Sequence, residues 1–332
     1  MTLFFSIATI QQLPQALALR ESLKRYHPND RFVIGLCDEP ANLPAGFKTD
    51  VEIIALQAIS LPKNLTWSTL SEQYNPVEFL KASKPLFLAH FWQHYSDIHQ
   101  FVYLDPTVFL YQPLTELETT YKDQAILLTP HLLNPPGDQQ HPDEKHLQNV
   151  GLFHSGFLAL RRSDEANHFV SWWSSRVPER AYIDYCQAMC LDQLWLMLTM
   201  VFYNSVGIVK NPGWQVGLWN LPERNVQRTA NGFAANKHPL AFVNFEGLIN
   251  QSVLFSQQTR FQPSQYPDVQ ALLRDYQATL RQYDAGLSQI SPAYGKQPMQ
   301  YRYPLSGLRG ALVTKLRQTV HYIETVYVPR KR

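Results

Sequence analysis

The sequence has little cysteine and little glycine. Its three cysteines are Cys37, Cys186 and Cys190, and no two have the CxxC spacing of a zinc or redox site. We therefore expect reduced thiols buried as small apolar side chains. Only 14 of the 332 residues are glycine, and neither GxGxxG nor GxxxxGK[ST] occurs. A standard dinucleotide site and a P-loop are both disfavoured.

Long apolar runs and an excess of one charge are also missing. No segment approaches the about 20 consecutive apolar residues of a transmembrane helix, and the start, MTLFFSIATIQQLPQ, lacks the features of a secretory signal. Charged residues make up 17% and the formal net charge is +2, which gives no case for a nucleic-acid partner. We expect a cytoplasmic protein.

What the sequence does contain is an alternation of apolar runs and helical patterns. Hydrophobic residues reach 45%, enough for a sizeable core. The runs predict strands and helices in turn, which indicates an α/β domain with a mainly parallel sheet. The predicted strands are 3–10, 32–36, 51–56, 101–104, 151–161, 206–209 and 240–245, and the predicted helices include 14–26, 165–176, 183–202 and 267–283. Residues 129–149 predict a solvated surface loop, with His131, His141 and His146 at no metal-site spacing.

Polar residues follow several of these strands. Open α/β sheets bind ligands at the carboxyl ends of their strands. The sequence places Ala8 and Thr9, Asp38, Asp105 and His154 there. Because no glycine-rich loop is present, a bound diphosphate would be held by side chains or by a cation.

Six segments of the sequence stand out together: SIATIQQLPQALALRESLKRYHP, YNPVEFLKASKP, YLDPTVFLYQPL, NVGLFHSGFLAL, CLDQLWL and PGWQVGLWNLPER. Taken in order, they resemble the GT-A nucleotide-sugar glycosyltransferases, in particular the bacterial family-8-like enzymes related to glycogenin and to lipopolysaccharide galactosyltransferases. The resemblance covers about residues 3–285. It implies a GT-A fold, in which a single Rossmann-like mixed sheet is flanked by helices, with a C-terminal helical extension. We expect the GT-A domain at 1–262, and helices with a basic amphipathic tail at 263–332.

The resemblance also implies a divalent cation, Mn²⁺ or Mg²⁺, held by an Asp-x-Asp motif, but this sequence departs from that motif. It reads Asp105-Pro106-Thr107, and Asn244 stands where the family usually has a histidine ligand. Hard cations prefer carboxylate oxygens, so Asp105 is left as a weak ligand, with Glu246 as a substitute. Weak metal binding, metal-independent transfer and loss of catalysis all stay open.

The resemblance implies further site residues, at the positions of this sequence that match the family's motifs. Asp192, Gln193 and His154 are the catalytic candidates: the first two would contact the donor sugar, and His154 would lie on the acceptor side. Ala8, Thr9, Asp38, Trp219 and Asn220 are donor-binding candidates, as are Asp105 and Thr107. Lys84 and Arg224 are the candidate cations for the diphosphate. For Lys84 the alternative is a lysine on the helix surface, for Arg224 it is a structural salt bridge, and for Trp219 it is simple packing.

These residues favour transfer of a sugar, UDP-linked and with retention of configuration, from its nucleotide diphosphate to a glycan or lipid-linked glycan. The alternative is a catalytically inert, GT-A-like subunit that binds sugar nucleotides or glycans. Residues 296–332 carry eight basic residues and one acidic residue, and 308–327 predict an amphipathic helix. That segment would bind an anionic inner membrane face or pack on the catalytic domain.

Overall fold

The computed structural model describes residues 1–138, 141–249 and 265–298, together with helical positions 312, 315, 316, 319, 320, 322 and 323, and it omits the side chain of Cys186. It divides into two compact units, Met1–Gln297 and Pro298–Arg332. The boundary predicted at 262/263 lies outside the described residues. In the second unit the described apolar side chains Leu312, Leu316, Val320 and Ile323 are helical and exposed.

The first unit is built from short strands and from helices of four to 19 residues. The strands are β1 (Thr2–Ala8), β2 (Arg31–Leu36), β3 (Glu52–Ala55), β4 (Gln100–Leu104), β5 (Val108–Leu110), β6 (Ile126–Pro130), β7 (Phe153–Arg161), β8 (Ile183–Asp184), β9 (Met189–Cys190), β10 (Val206–Ile208), β11 (Val226–Thr229), β12 (Gly232–Ala235), β13 (His238–Pro239) and β14 (Phe242–Asn244). The α-helices are α1 (Leu13–Tyr26), α2 (Trp67–Gln73), α3 (Pro76–His94), α4 (Glu144–Val150), α5 (Asp164–Arg176), α6 (Thr199–Phe202) and α7 (Pro267–Tyr283).

Seven strands form one mixed sheet in the order β10-β6-β7-β4-β1-β2-β3. β7 is antiparallel to both β4 and β6, and the other pairings are parallel. Since β7 runs the opposite way, its first residues meet the carboxyl ends of its neighbours. His154 therefore lies at the amino end of its strand, not at the carboxyl end as predicted, but on the expected edge of the sheet.

The two faces of the sheet pack on different helices. In β1, Leu3, Phe5 and Ile7 join the cluster that contains α3 and α5, whereas Phe4 joins the cluster with Leu19 of α1. This period of two is what a strand buried on both faces requires. The mixed sheet flanked by helices confirms the predicted α/β class. Helix α7 has the predicted bounds and contacts α1.

The segment 183–202 is not the apolar helix that the sequence predicts. It forms the β8–β9 hairpin, a 3₁₀ turn at Leu194–Leu198 and the short helix α6. Its apolar side chains pack into two different clusters: Cys190 and Leu191 lie with Val150, and Leu196 lies in the main core. Burial in different directions leaves no single helical face.

Among the described helices, none is long and apolar enough to cross a membrane.

The antiparallel pair β5–β14 helps to position the candidate site. It places Asn244 opposite Val108, next to Thr107, and so brings two distant segments to the edge where β4 ends.

Candidate active site

Asp105 is the first residue after β4, and its carboxylate is buried. Oδ1 accepts hydrogen bonds from the Tyr103 hydroxyl at 2.5 Å and from Nζ of Lys81 at 3.1 Å. Among the described residues, Oδ2 has no hydrogen-bond partner. Burial raises the pKa of Asp105, but the charges of Lys81 and Lys84 outweigh it and bring the pKa well below its usual range. The site thus holds a fixed negative charge with one uncommitted oxygen.

Lys81 is a site residue that the sequence analysis missed. It lies on α3 three residues before Lys84, a spacing that places both side chains on one helix face. Burial acts to lower the pKa of Lys81, but the carboxylates of Asp105, Glu246 and Asp192 together raise it above its usual value. These three carboxylates therefore favour the charged form of Lys81.

Lys84 is buried, so the alternative of a surface lysine is wrong. Its Nζ lies 2.5 Å from Oδ2 of Asp192 and donates to the carbonyl oxygen and the hydroxyl of Ser155 at 2.9 and 3.1 Å. Nζ also lies 4.4 Å from the centroid of the Tyr103 ring, a cation–π distance. Burial lowers the pKa of Lys84, and the charge of Asp192 opposes this effect.

Asp192 is fully buried, and it follows a strained residue. Leu191 has a φ of +54°, in the left-handed region that non-glycine residues rarely adopt. Oδ1 of Asp192 accepts from the Ser155 hydroxyl at 3.2 Å, and Oδ2 pairs with Lys84. The carboxylate is held by this turn and not by a helix.

Gln193 holds the start of β7 in place. Its Oε1 accepts from the Ser155 amide at 3.1 Å, and its Nε2 donates to the Val150 carbonyl at 2.8 Å. Both ends of the amide group are engaged with the backbone. Contact of Gln193 with a donor sugar stays a prediction; in the structure it positions Ser155.

His154 stacks on Trp219, with ring centroids 3.9 Å apart and an interplanar angle of 9°. Its Nδ1 accepts from the Gly156 amide at 2.9 Å, so the Gln215 side chain, 3.0 Å away, must donate to the same atom. This network assigns the proton to Nε2, which lies 3.8 Å from Oε2 of Glu246. Burial lowers the pKa of His154 well below its usual value, with His131 acting in the same direction.

Three of the predicted donor-binding residues have hydrogen bonds within the protein: Asp38 and Asn220 bond to backbone groups, and Thr9 bonds to the side chain of Gln12. Oδ2 of Asp38 accepts from the Ile10 amide, and Oδ1 accepts from those of Glu39 and Ala293. The amide group of Asn220 bonds to Gly217, Gln215 and His131. Thr9 caps the 3₁₀ turn after Ala8, which ends β1.

Arg224 is buried and forms the salt bridge that was its alternative. Its Nη2 lies 3.2 Å from Oε1 of Glu223. The Glu223 carboxylate also accepts from the Leu133 amide through Oε1 and from the Asn134 amide through Oε2. Burial lowers the pKa of Arg224, and Glu223 opposes this effect. In the described part of the chain, Nε and Nη1 have no hydrogen-bond partner. In that part of the chain, no hydrogen bond or ion pair connects Arg224 with Lys81 or Lys84.

Three polar groups converge on Gly156, in a space too small for a methyl group. A Cβ at this position would lie 2.6 Å from Oδ2 of Asp105, 2.7 Å from Nδ2 of Asn244 and 2.7 Å from Nδ1 of His154. Oδ1 of Asn244 accepts from the Thr107 hydroxyl at 2.8 Å and from the Glu246 amide at 2.9 Å. The side of Asn244 that faces this space is therefore its donor side.

These groups do not fit a divalent cation. Oδ1 of Asp105 is engaged by Lys81 and Tyr103, and the Asn244 amide presents a hydrogen-bond donor where a ligand oxygen is needed. Within 1–138, 141–249 and 265–298 no three His, Cys, Asp or Glu side chains are grouped to hold a metal ion. The chain places an ammonium group beside Asp105.

The prediction of a solvated loop is wrong for His131. Its side chain is buried, with its ring centroid 5.1 Å from that of His154 and 6.0 Å from that of Trp219. The loop also contains α4, and the rings of His141 and His146 lie 5.1 Å apart. No spacing in the sequence marked His131, because its burial depends on packing against His154 and Trp219, which are distant in sequence.

We expect His131 to make folding sensitive to acid. Burial lowers its pKa from 6.5 to about 3, so between these pH values the unfolded chain binds a proton that the folded chain does not. The contribution of His131 to the free energy of unfolding does not change with pH above 6.5. Below pH 6.5 it lowers that free energy, by about 2 kcal/mol at pH 5. Urea denaturation at pH 8 and pH 5 measures it. His131→Gln should lose that part of the pH dependence, and an unchanged dependence would contradict the assignment.

No family model matches the chain. It is similar to two uncharacterized proteins of Bacillus subtilis (strain 168). YfnF is 22% identical over 237 residues, 71% of this chain and 78% of YfnF, and YfnD is 24% identical over 199 residues, 56% of this chain and 62% of YfnD.

Solved structures with some likeness include two glycosyltransferases. The galactosyltransferase LgtC, in complex with donor and acceptor sugar analogues, matches 92% of this chain and 100% of its own, at 15% identity and a TM-score of 0.47. A glycosyltransferase involved in the glycosylation of the major capsid of PBCV-1 matches 74% of this chain and 93% of its own, at 10% identity and a TM-score of 0.41.

Proposed function

We propose that the protein transfers a sugar from a nucleotide-diphosphate sugar, UDP-linked, to a hydroxyl group of a glycan acceptor. The observation that carries the proposal is the pair of buried lysine–carboxylate contacts, Lys81–Asp105 and Lys84–Asp192, at the ligand-binding edge of the sheet. Buried ion pairs contribute little to net stability, and clusters of perturbed charges mark functional sites. The six sequence segments that resemble GT-A enzymes support the same reaction.

In the proposed reaction the bond between the sugar C1 and the phosphate oxygen breaks, and a bond from C1 to the acceptor oxygen forms. The departing phosphate takes the proton of the acceptor hydroxyl, so no further base is required. The Asp192 carboxylate, held beside Lys84, would stabilise the positive charge that develops on the sugar ring. His154, which stacks on the donor-binding candidate Trp219, would lie on the acceptor side, with its Nε2–H as a hydrogen-bond donor.

The proposal also includes retention of configuration, a glycan or lipid-linked acceptor and a cytoplasmic location. An anionic membrane surface is the expected partner of the basic segment 296–332, most of which lies outside the described residues. Sedimentation of the full chain with anionic and with neutral vesicles tests that part: equal pelleting would remove it.

The reaction is tested by the release of free UDP from UDP-sugars, with and without simple glycan acceptors. We expect release by the wild-type chain, equal release by Asp50→Asn, and almost none by Asp192→Asn. Asp50 is the matched control because its carboxylate also pairs with a cation but is 69% exposed. Tight binding of UDP-sugars without turnover on any acceptor would instead support the inert binding subunit. Absence of binding to UDP, GDP and ADP would contradict both functions.

A further inference from the structure

The charged cluster has an inner part and an outer part. The side chains of Lys84 and Asp192 are 2% and 0% exposed, whereas those of Lys81 and Glu246 are 10% and 20% exposed. Thr107 is half-buried on the same side. A ligand that approaches from solvent therefore meets Lys81 before it meets Lys84.

The Lys81 ammonium group has N–H donors that the hydrogen bonds of the described residues do not use. An ammonium group has three N–H donors, and the one hydrogen bond that the described residues give it is to Oδ1 of Asp105. Two donors remain on a rigid support, because α3 is capped by Asn75 and runs for 19 residues. Asp105 orients this cation, and the hydroxyl of Tyr103 fixes Asp105 in turn.

The charge of a nucleotide diphosphate must be balanced when it leaves water. The site offers no divalent-ion ligand set in the described residues, and Lys84 already contacts Asp192 and Ser155. Lys81 is thus the partly accessible cation of the cluster. Glu246, the acidic group beside it, lies near Nε2 of His154.

We propose that the Lys81 ammonium group binds the diphosphate of the donor directly, as a built-in cation, so that donor binding requires no divalent metal ion. The inference rests on the proposed function and assigns the group that holds its leaving phosphate. Asp105 is then a positioning residue for Lys81 and not a metal ligand.

Calorimetric titration with UDP and with uridine tests the inference. For the wild-type chain, we expect the UDP affinity in EDTA to lie within about twofold of that in Mn²⁺, since no metal takes part. Lys81→Met should lose about tenfold or more in UDP affinity, as expected for one charge-assisted hydrogen bond. Its uridine affinity should not change, because uridine has no phosphate. Lys81→Arg should retain most of the affinity, and Lys24→Met, an exposed lysine on α1, should match the wild type.

Lys81→Met leaves the Asp105 charge without its partner, so its folding must be checked. The variant Lys81→Met/Asp105→Asn removes both charges, and it should fold and show the same loss of UDP affinity. UDP binding by the wild type that requires Mn²⁺ would overturn the inference and leave the proposed function intact. Wild-type UDP affinity in Lys81→Met or in Lys81→Met/Asp105→Asn would do the same. If the wild type binds none of UDP, GDP and ADP, either in EDTA or in Mn²⁺, the proposed function itself fails.

Discussion

Asp192→Asn is expected to bring sugar transfer close to zero, with a rate loss of about a hundredfold to a thousandfold, the size seen when one group that stabilises charge in the transition state is removed. The same change should also destabilise the fold, since Lys84 would stay buried with no carboxylate beside it. Breaking one partner of a buried pair costs about 3–5 kcal/mol.

Adding Lys84→Met separates the loss of stability from the loss of sugar transfer. The double variant Asp192→Asn/Lys84→Met has no buried charge at this position, so we expect urea denaturation to show most of the lost stability restored. Its transfer activity should stay close to zero. A double variant that regains both stability and transfer would show that Asp192 has only a structural role.

Gly156→Ala is expected to remove UDP binding with a moderate loss of stability. The new methyl group would lie under 3 Å from Asp105, Asn244 and His154, none of which is the end of a long, flexible side chain. Overpacking of this kind costs about 1–3 kcal/mol, and the shift of Asp105 would also move Lys81.

Gly207→Ala is the matched control for this substitution. A Cβ there would lie 2.6 Å from a side-chain carbon of Leu127, in the same sheet but away from the charged groups. Both variants should lose stability in urea denaturation, and only Gly156→Ala should lose UDP affinity in calorimetry. Normal UDP binding by Gly156→Ala would mean that the diphosphate does not depend on the positions of Asp105 and Lys81.

The fold could be predicted because apolar runs and helical periodicity depend on local sequence. β1, β2 and α7 lie where their patterns placed them. Segment 183–202 could not be predicted in this way, because its apolar residues are buried by contacts that are distant in sequence. Val150, for example, packs on Cys190 and Leu191.

The candidate site could be predicted in part because some of its residues follow a strand or match a motif, as Asp105 and Asp192 do; their roles stay predictions. Lys81 was missed because its importance depends on Asp105, 24 residues away, although its spacing from Lys84 was a usable signal. The buried position of His131 depends on packing against His154 and Trp219. Sequence alone therefore identified the acidic groups but not which cation each one faces.

The most direct test of this account is a crystal structure of the full chain with UDP, grown in EDTA. The account predicts the diphosphate at the carboxyl edge of the main sheet, with a phosphate oxygen within about 3 Å of Nζ of Lys81, the distance of a charge-assisted hydrogen bond. UDP bound elsewhere on the chain, or a diphosphate at this edge that does not contact Lys81, would contradict it.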